Sequence, residues 1–72
     1  MDQTVLSELG LSKNESKIYI SLTKLGQSTL TVVAKQSKIH RSNVYDSIKR
    51  LLSKGLVSYI IKDGVTYYES AE

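Results

Sequence analysis

The residues best placed to do chemistry are Arg41, Ser42, Asn43, Asp46, Lys49, Arg50 and Ser53. At 100° per residue Ser42, Asn43, Asp46, Lys49, Arg50 and Ser53 collect on one arc, opposite Val44, Ile48, Leu51 and Leu52, with Arg41 ahead of them at the helix N-terminus. The arc opens with a basic residue and short hydrogen-bonding side chains, and its further cations come a turn or more later. Such a helix suits entry into a DNA major groove N-terminus first. Arg41 has the fork geometry for guanine or a phosphate, and Asn43 the paired donor and acceptor for adenine. Ser42 serves a phosphate or caps the helix. Asp46 would repel phosphates unless it accepts from a cytosine amino group; its plainer role is an i,i+4 pair with Arg50. Lys49 and Arg50 are placed for phosphates, while Lys35 and Lys38 at the end of the preceding helix, and Lys62 in a hairpin, are candidates for the flanking backbone.

No catalytic constellation stands beside this arc. His40 is the only histidine and cysteine is absent, so neither a metal site nor an acid–base or nucleophilic dyad can be assembled. The expectation is a protein that is not an enzyme and carries no cofactor. Tyr59, Tyr67 and Tyr68 read as cross-strand and core residues rather than as a stacking platform for single strands. Tyr45, at the border of the buried arc, is expected in the core with its hydroxyl at the rim.

Local signals mark out the elements that would position the arc. Residues 2 to 9 form a short leading helix, with Asp2 as N-cap and Val5, Leu6 and Leu9 on one stripe. Ser12 and Glu15 stand at capping-box spacing ahead of Ile18, Leu22 and Leu25, and Gly26 closes a helix over 13 to 25. Ile20 falls on the back of that helix. A brief strand before Thr29 leads to a second core helix with Leu30, Val33 and Ala34, which ends near Ser37 and turns at Lys38 and Ile39; a left-handed conformation at Lys38 would favour glycine there and cost lysine about 1 kcal/mol. After the third core helix, Gly55 and Leu56 fit a Schellman stop. Asp63-Gly64 then joins two strands, 56 to 62 and 65 to 70, pairing Ile61 with Thr66, Ile60 with Tyr67 and Tyr59 with Tyr68. The face of Val57, Tyr59, Ile61 and Tyr68 is expected to enter the core, and that of Ser58, Ile60, Lys62 and Tyr67 to lie outside.

The fold class is therefore α+β, mainly α: a winged helix-turn-helix with a short N-terminal helix, a three-helix core and a C-terminal two-stranded hairpin wing, in a single domain over 1–72. Seventy-two residues lie near the lower limit for independent folding. Ten basic against seven acidic residues and a pI near 9.3 lean mildly towards a polyanion. No apolar run reaches membrane-spanning length and the first ten residues lack the pattern of a signal peptide, so a cytoplasmic, nucleoid-associated location is expected.

Three segments narrow the reading: LGLSKNESKIYISLTKLG at 9 to 26, RSNVYDSIKRLLSKGLV at 41 to 57, and the return-strand Tyr68. On these, residues 9 to 68 resemble the N-terminal DNA-binding domain of the TrmB-like family of archaeal transcriptional regulators. The resemblance implies sequence-specific duplex binding, with the third core helix in the major groove and the wing on the backbone or minor groove. Lys38 stands where relatives usually have glycine and His40 where proline is frequent, and the Lys62-Asp63-Gly64 tip is less basic than in many relatives. Relatives commonly continue into a sugar-sensing domain, so this chain reads as a stand-alone regulator or as a domain of a longer one, with no small-molecule effector evident.

The expected partners are double-stranded DNA and a second copy of the chain, the homodimer burying Val5, Leu6, Leu9 and Ile20. Two rivals make use of the same fold. A protein-interaction module of a transcription or chromatin assembly would present apolar surface, and a non-specific chromatin protein would bind all duplexes alike.

Overall fold

The computed structural model describes residues 3–71, with side chains from Val5 to Ala71. The expected Asp2 cap lies outside the described residues. Element order is α1 (Gln3–Glu8), α2 (Lys13–Leu25), α3 (Leu30–Ser37), α4 (Arg41–Ser53), β1 (Val57–Lys62) and β2 (Val65–Ser70). This is the winged helix-turn-helix, with α3, the turn at 38 to 40 and α4 as the helix-turn-helix and β1–β2 as the wing.

Side-chain chemistry accounts for the helix ends. Ser12 Oγ accepts from the Glu15 amide at 3.1 Å while the Glu15 carboxylate accepts from the Ser12 amide at 3.4 Å, completing the capping box of α2. Thr29 caps α3 by accepting from the Val32 amide. At the far end of α3, Lys38 takes the left-handed conformation, φ 59° and ψ 31°. The stop of α4 is a Schellman motif: the Leu56 amide donates to the Leu51 carbonyl and the Gly55 amide to the Leu52 carbonyl, with Gly55 at φ 74°.

Leu6, Leu11, Ile18, Leu22, Val33, Val44, Ile48, Leu51 and Val57 form the core. α2 crosses beneath both helices of the helix-turn-helix and also meets β2. The wing pairs Ile61 with Thr66, Ile60 with Tyr67 and Tyr59 with Tyr68. Its two-residue turn has positive φ at both Asp63 and Gly64, as a type I′ hairpin demands. Ser28 forms the brief strand as a single antiparallel bridge to Tyr68, with bonds of 2.9 and 2.7 Å that anchor the root of the wing to the α2–α3 connection.

Three expectations about packing are corrected. The leading stripe splits: Leu6 is 1% exposed whereas Leu9 is 62% exposed. Helix α1 ends at Glu8, the chain turns through Gly10 at φ 88°, and Leu11, which had no expected role, enters the core. Leu6 therefore belongs to the monomer's interior and offers nothing to a second copy. The inner wing face enters the core only at its root, through Val57 and partly Tyr68; Tyr59 and Ile61 stand exposed because the hairpin extends past the helices. Ile20 is half-buried beside Gln36 and Ser37 at the end of α3, in a shallow hollow rimmed by Lys17 and Lys24, and packs partly on the core.

Candidate nucleic-acid interface

Helix α4 buries Val44, Ser47, Ile48 and Leu51 against the other helices, which turns its opposite face outward. On that face Ser42, Asn43, Asp46, Lys49, Arg50 and Ser53 are all exposed, and Arg41 is exposed at the start of the helix on the side of the wing. A continuous polar surface with three cations is thus held on a rigid helix whose inner side is locked in the core. At its start His40 acts as N-cap: the Ser42 amide donates to Nδ1 at 3.3 Å, and the Ser42 hydroxyl lies 2.9 Å from the same nitrogen. Ser42 is thereby engaged with the cap, whereas neither Arg41 nor Asn43 makes a side-chain hydrogen bond within the described residues.

The expected ion pair between Asp46 and Arg50 is not formed. Among the described residues the one ion pair is Lys54–Glu15, at 2.6 Å. Asp46 and Arg50 instead line a hollow with Asn43, Ser47 and Ser12, Lys13 and Asn14 at the start of α2. A helical pair of long and short side chains gains only a few tenths of a kcal/mol in water, too little to hold Arg50 back along the helix.

Tyr45 also departs from expectation. It is 50% exposed, with the Lys49 ammonium 5.4 Å from its ring centroid, and it borders a second hollow between α4 and the wing. Thr29 and Thr31 at the start of α3, Arg41 and Tyr45 on α4, and Thr66 and Tyr68 on the wing line this hollow, about 440 Å³ in volume. Burial, together with the neighbouring Tyr45 and Tyr59, pushes the Tyr68 hydroxyl above its ordinary value of 10.0. It stays a neutral donor at physiological pH.

Lys62 sits elsewhere. Opposite Val65 in the register, it shares the strand face of Ile60 and Tyr67, the reverse of the Thr66–Tyr68 face that borders Arg41. Its ammonium donates to Gln27 Oε1 at 3.0 Å and lies 5.8 Å from the Tyr67 ring centroid. Lys38 is exposed at the turn just before α4.

The structure thus exposes Asn43, Asp46, Lys49 and Arg50 on the outer arc of α4, sets Arg41 in the hollow between α4 and the wing, and leaves Lys62 on the reverse of the wing. Sequence reasoning missed Lys13 and Asn14, which the start of α2 sets beside α4, and Thr29 and Thr31, whose placement follows from the cap at Thr29 only once α3 is docked. A sequence profile described as the sugar-specific transcriptional regulator TrmB matches residues 6–72. The chain belongs to the TrmB family. A relative from Pyrococcus furiosus, the HTH-type sugar sensing transcriptional regulator TrmBL1, is 42% identical over 55 residues, covering 76% of this chain and 16% of the relative. This chain thus spans about a sixth of that relative's length, in proportion to the 16% covered. TrmB family members are transcriptional regulators rather than enzymes, and no helix among the described residues is long and apolar enough to cross a membrane.

Proposed function

We propose that this TrmB-family chain is a sequence-specific DNA-binding regulator that lays α4 in the major groove. The observation that carries the reading is the exposed polar arc from Ser42 to Arg50, with Arg41 exposed at its N-terminal end, on a helix whose other side is sealed in the core. Arg41 and Asn43, at the N-terminal end, read base edges, and Lys49 and Arg50 meet phosphates. The hollow between α4 and the wing admits one backbone, with Thr29, Thr31 and the Tyr68 hydroxyl as neutral donors around it. Lys38 flanks the other end of the turn. The wing contributes by shape more than by charge, since Lys62 is engaged with Gln27 and Asp63 lies in its turn.

The test is fluorescence anisotropy with a selected duplex and a randomised pool, from roughly 50 to 200 mM salt, a range over which several phosphate contacts cost orders of magnitude in affinity. Arg41→Ala combined with Arg50→Ala abolishes the preference and most of the affinity. Retention of both by the double variant would overturn the reading. One observation favours the rival interaction module: Tyr59 and Ile61, 54% and 64% exposed, make one wing face apolar. Under that reading neither duplex binds at any salt.

The proposed active species is a homodimer reading two half-sites about 10 bp apart or a multiple of that. Leu6 being internal, the exposed apolar side chains left on the leading segment are Val5 and Leu9. Leu9→Lys lowers the mass in sedimentation equilibrium if that segment is the interface; an unchanged dimer mass would exclude it.

A further inference from the structure

We propose that Asp46 is a specificity-determining residue that selects a cytosine in the site; this rests on α4 lying in the major groove as proposed above. Asp46 is exposed on the arc between Asn43 and Arg50, and none of the ion pairs of the described residues includes it. Its carboxylate stands on an otherwise cationic surface, sharing a hollow with Lys13 and Arg50 but in ion-pair contact with neither. Towards phosphates such a group is purely repulsive, so it weakens binding to every duplex unless a base rewards it.

A carboxylate is acceptor-only, and the major groove offers just two donors, the amino groups of cytosine and adenine. Beside the adenine amino group lies N7, an acceptor that repels the second carboxylate oxygen. Beside the cytosine amino group is only a C–H. Cytosine is therefore the base Asp46 favours, and guanine and thymine, which present carbonyl oxygens, are the bases it rejects. Asn43, one turn earlier on the same arc, carries both a donor and an acceptor and is free of this constraint.

The experiment is selection of bound sequences from a randomised duplex pool with the wild-type chain, Asp46→Ala and Asp46→Asn, followed by titration of each protein against the selected duplex and its three single-base variants at the assigned position. Asp46 is exposed, so both substitutions leave the core untouched. The wild type requires cytosine at one position per half-site, by about fivefold or more over thymine, in line with the usual worth of one base contact. Asp46→Ala loses that preference at that position alone while gaining affinity for the pool. Asp46→Asn moves the preference to adenine, which an amide pairs through two bonds. A uniform gain in affinity by both variants with the base preferences unchanged would overturn the assignment and leave the DNA-reading helix intact. A wild type that selects no sequence would overturn the proposed function, and this inference with it.

Discussion

At the residue scale, two lysines with similar prospects in the sequence are distinguished by their neighbours. Lys49 rests its ammonium on the Tyr45 ring, out on the exposed arc, whereas Lys62 is turned to the reverse of the wing and bonded to Gln27. Lys49→Ala should reduce the slope of log affinity against log salt by about one, the mark of a lost phosphate contact, and Lys62→Ala should leave it unchanged. Equal losses in the two titrations would put the outer face of the wing on the backbone. The α4 arc was legible in the sequence because side-chain direction along one helix follows from 100° per residue alone. The exposure of Tyr45 was not, since it depends on how far the wing stands from α4.

At the element scale, the turn between α3 and α4 carries a conformational cost. Lys38 is one of two non-glycine residues with positive φ among the described residues, and a Cβ is disfavoured there. Lys38→Gly should raise stability by about 1 kcal/mol, or roughly 4–8 °C in Tm for a domain of this size, in a thermal melt followed by circular dichroism. If the Lys38 ammonium also meets a phosphate, the same variant binds DNA more weakly while melting higher, and anisotropy separates the two effects. The caps at Ser12 and Thr29, the stop at Gly55 and the Asp63-Gly64 register were readable, because each is made by residues within a few positions of one another, whereas the His40 cap of α4 was not foreseen.

At the scale of the whole molecule, the start of α2 is tied to the end of α4. The Lys54 ammonium donates to Glu15 at 2.6 Å and to the Gly10 carbonyl at 3.4 Å, with the Glu15 side chain only 5% exposed. Burial works to raise the Glu15 pKa, but the bonds from Lys54 and Ser12 outweigh it, and the carboxyl sits below its ordinary 4.5. A folded pKa below the unfolded one stabilises the fold above about pH 4.5, and that contribution fades as pH falls through the lower folded value. Glu15→Gln should lower Tm at pH 7 and flatten its dependence between about pH 5 and 3, relative to the wild type. An unaltered acid profile would show that the pair contributes nothing to stability. Glu15 was expected only as a cap, and its partner 39 residues away left no periodic signal.

The sequence by itself determined the helix limits, the left-handed turn, the Schellman stop, the hairpin register and the polar face of α4, since all are set by spacing along a short stretch of chain. Only the tertiary structure decided that Leu6 and Leu11, not Leu9, enter the core, that Tyr59 and Ile61 stay in water, and that Glu15 meets Lys54. It also decided that Asp46 stands apart from Arg50 and that Lys62 leaves the Arg41 surface. These outcomes turn on which element covers which face, and on interactions of a few tenths of a kcal/mol that local spacing permits but does not enforce.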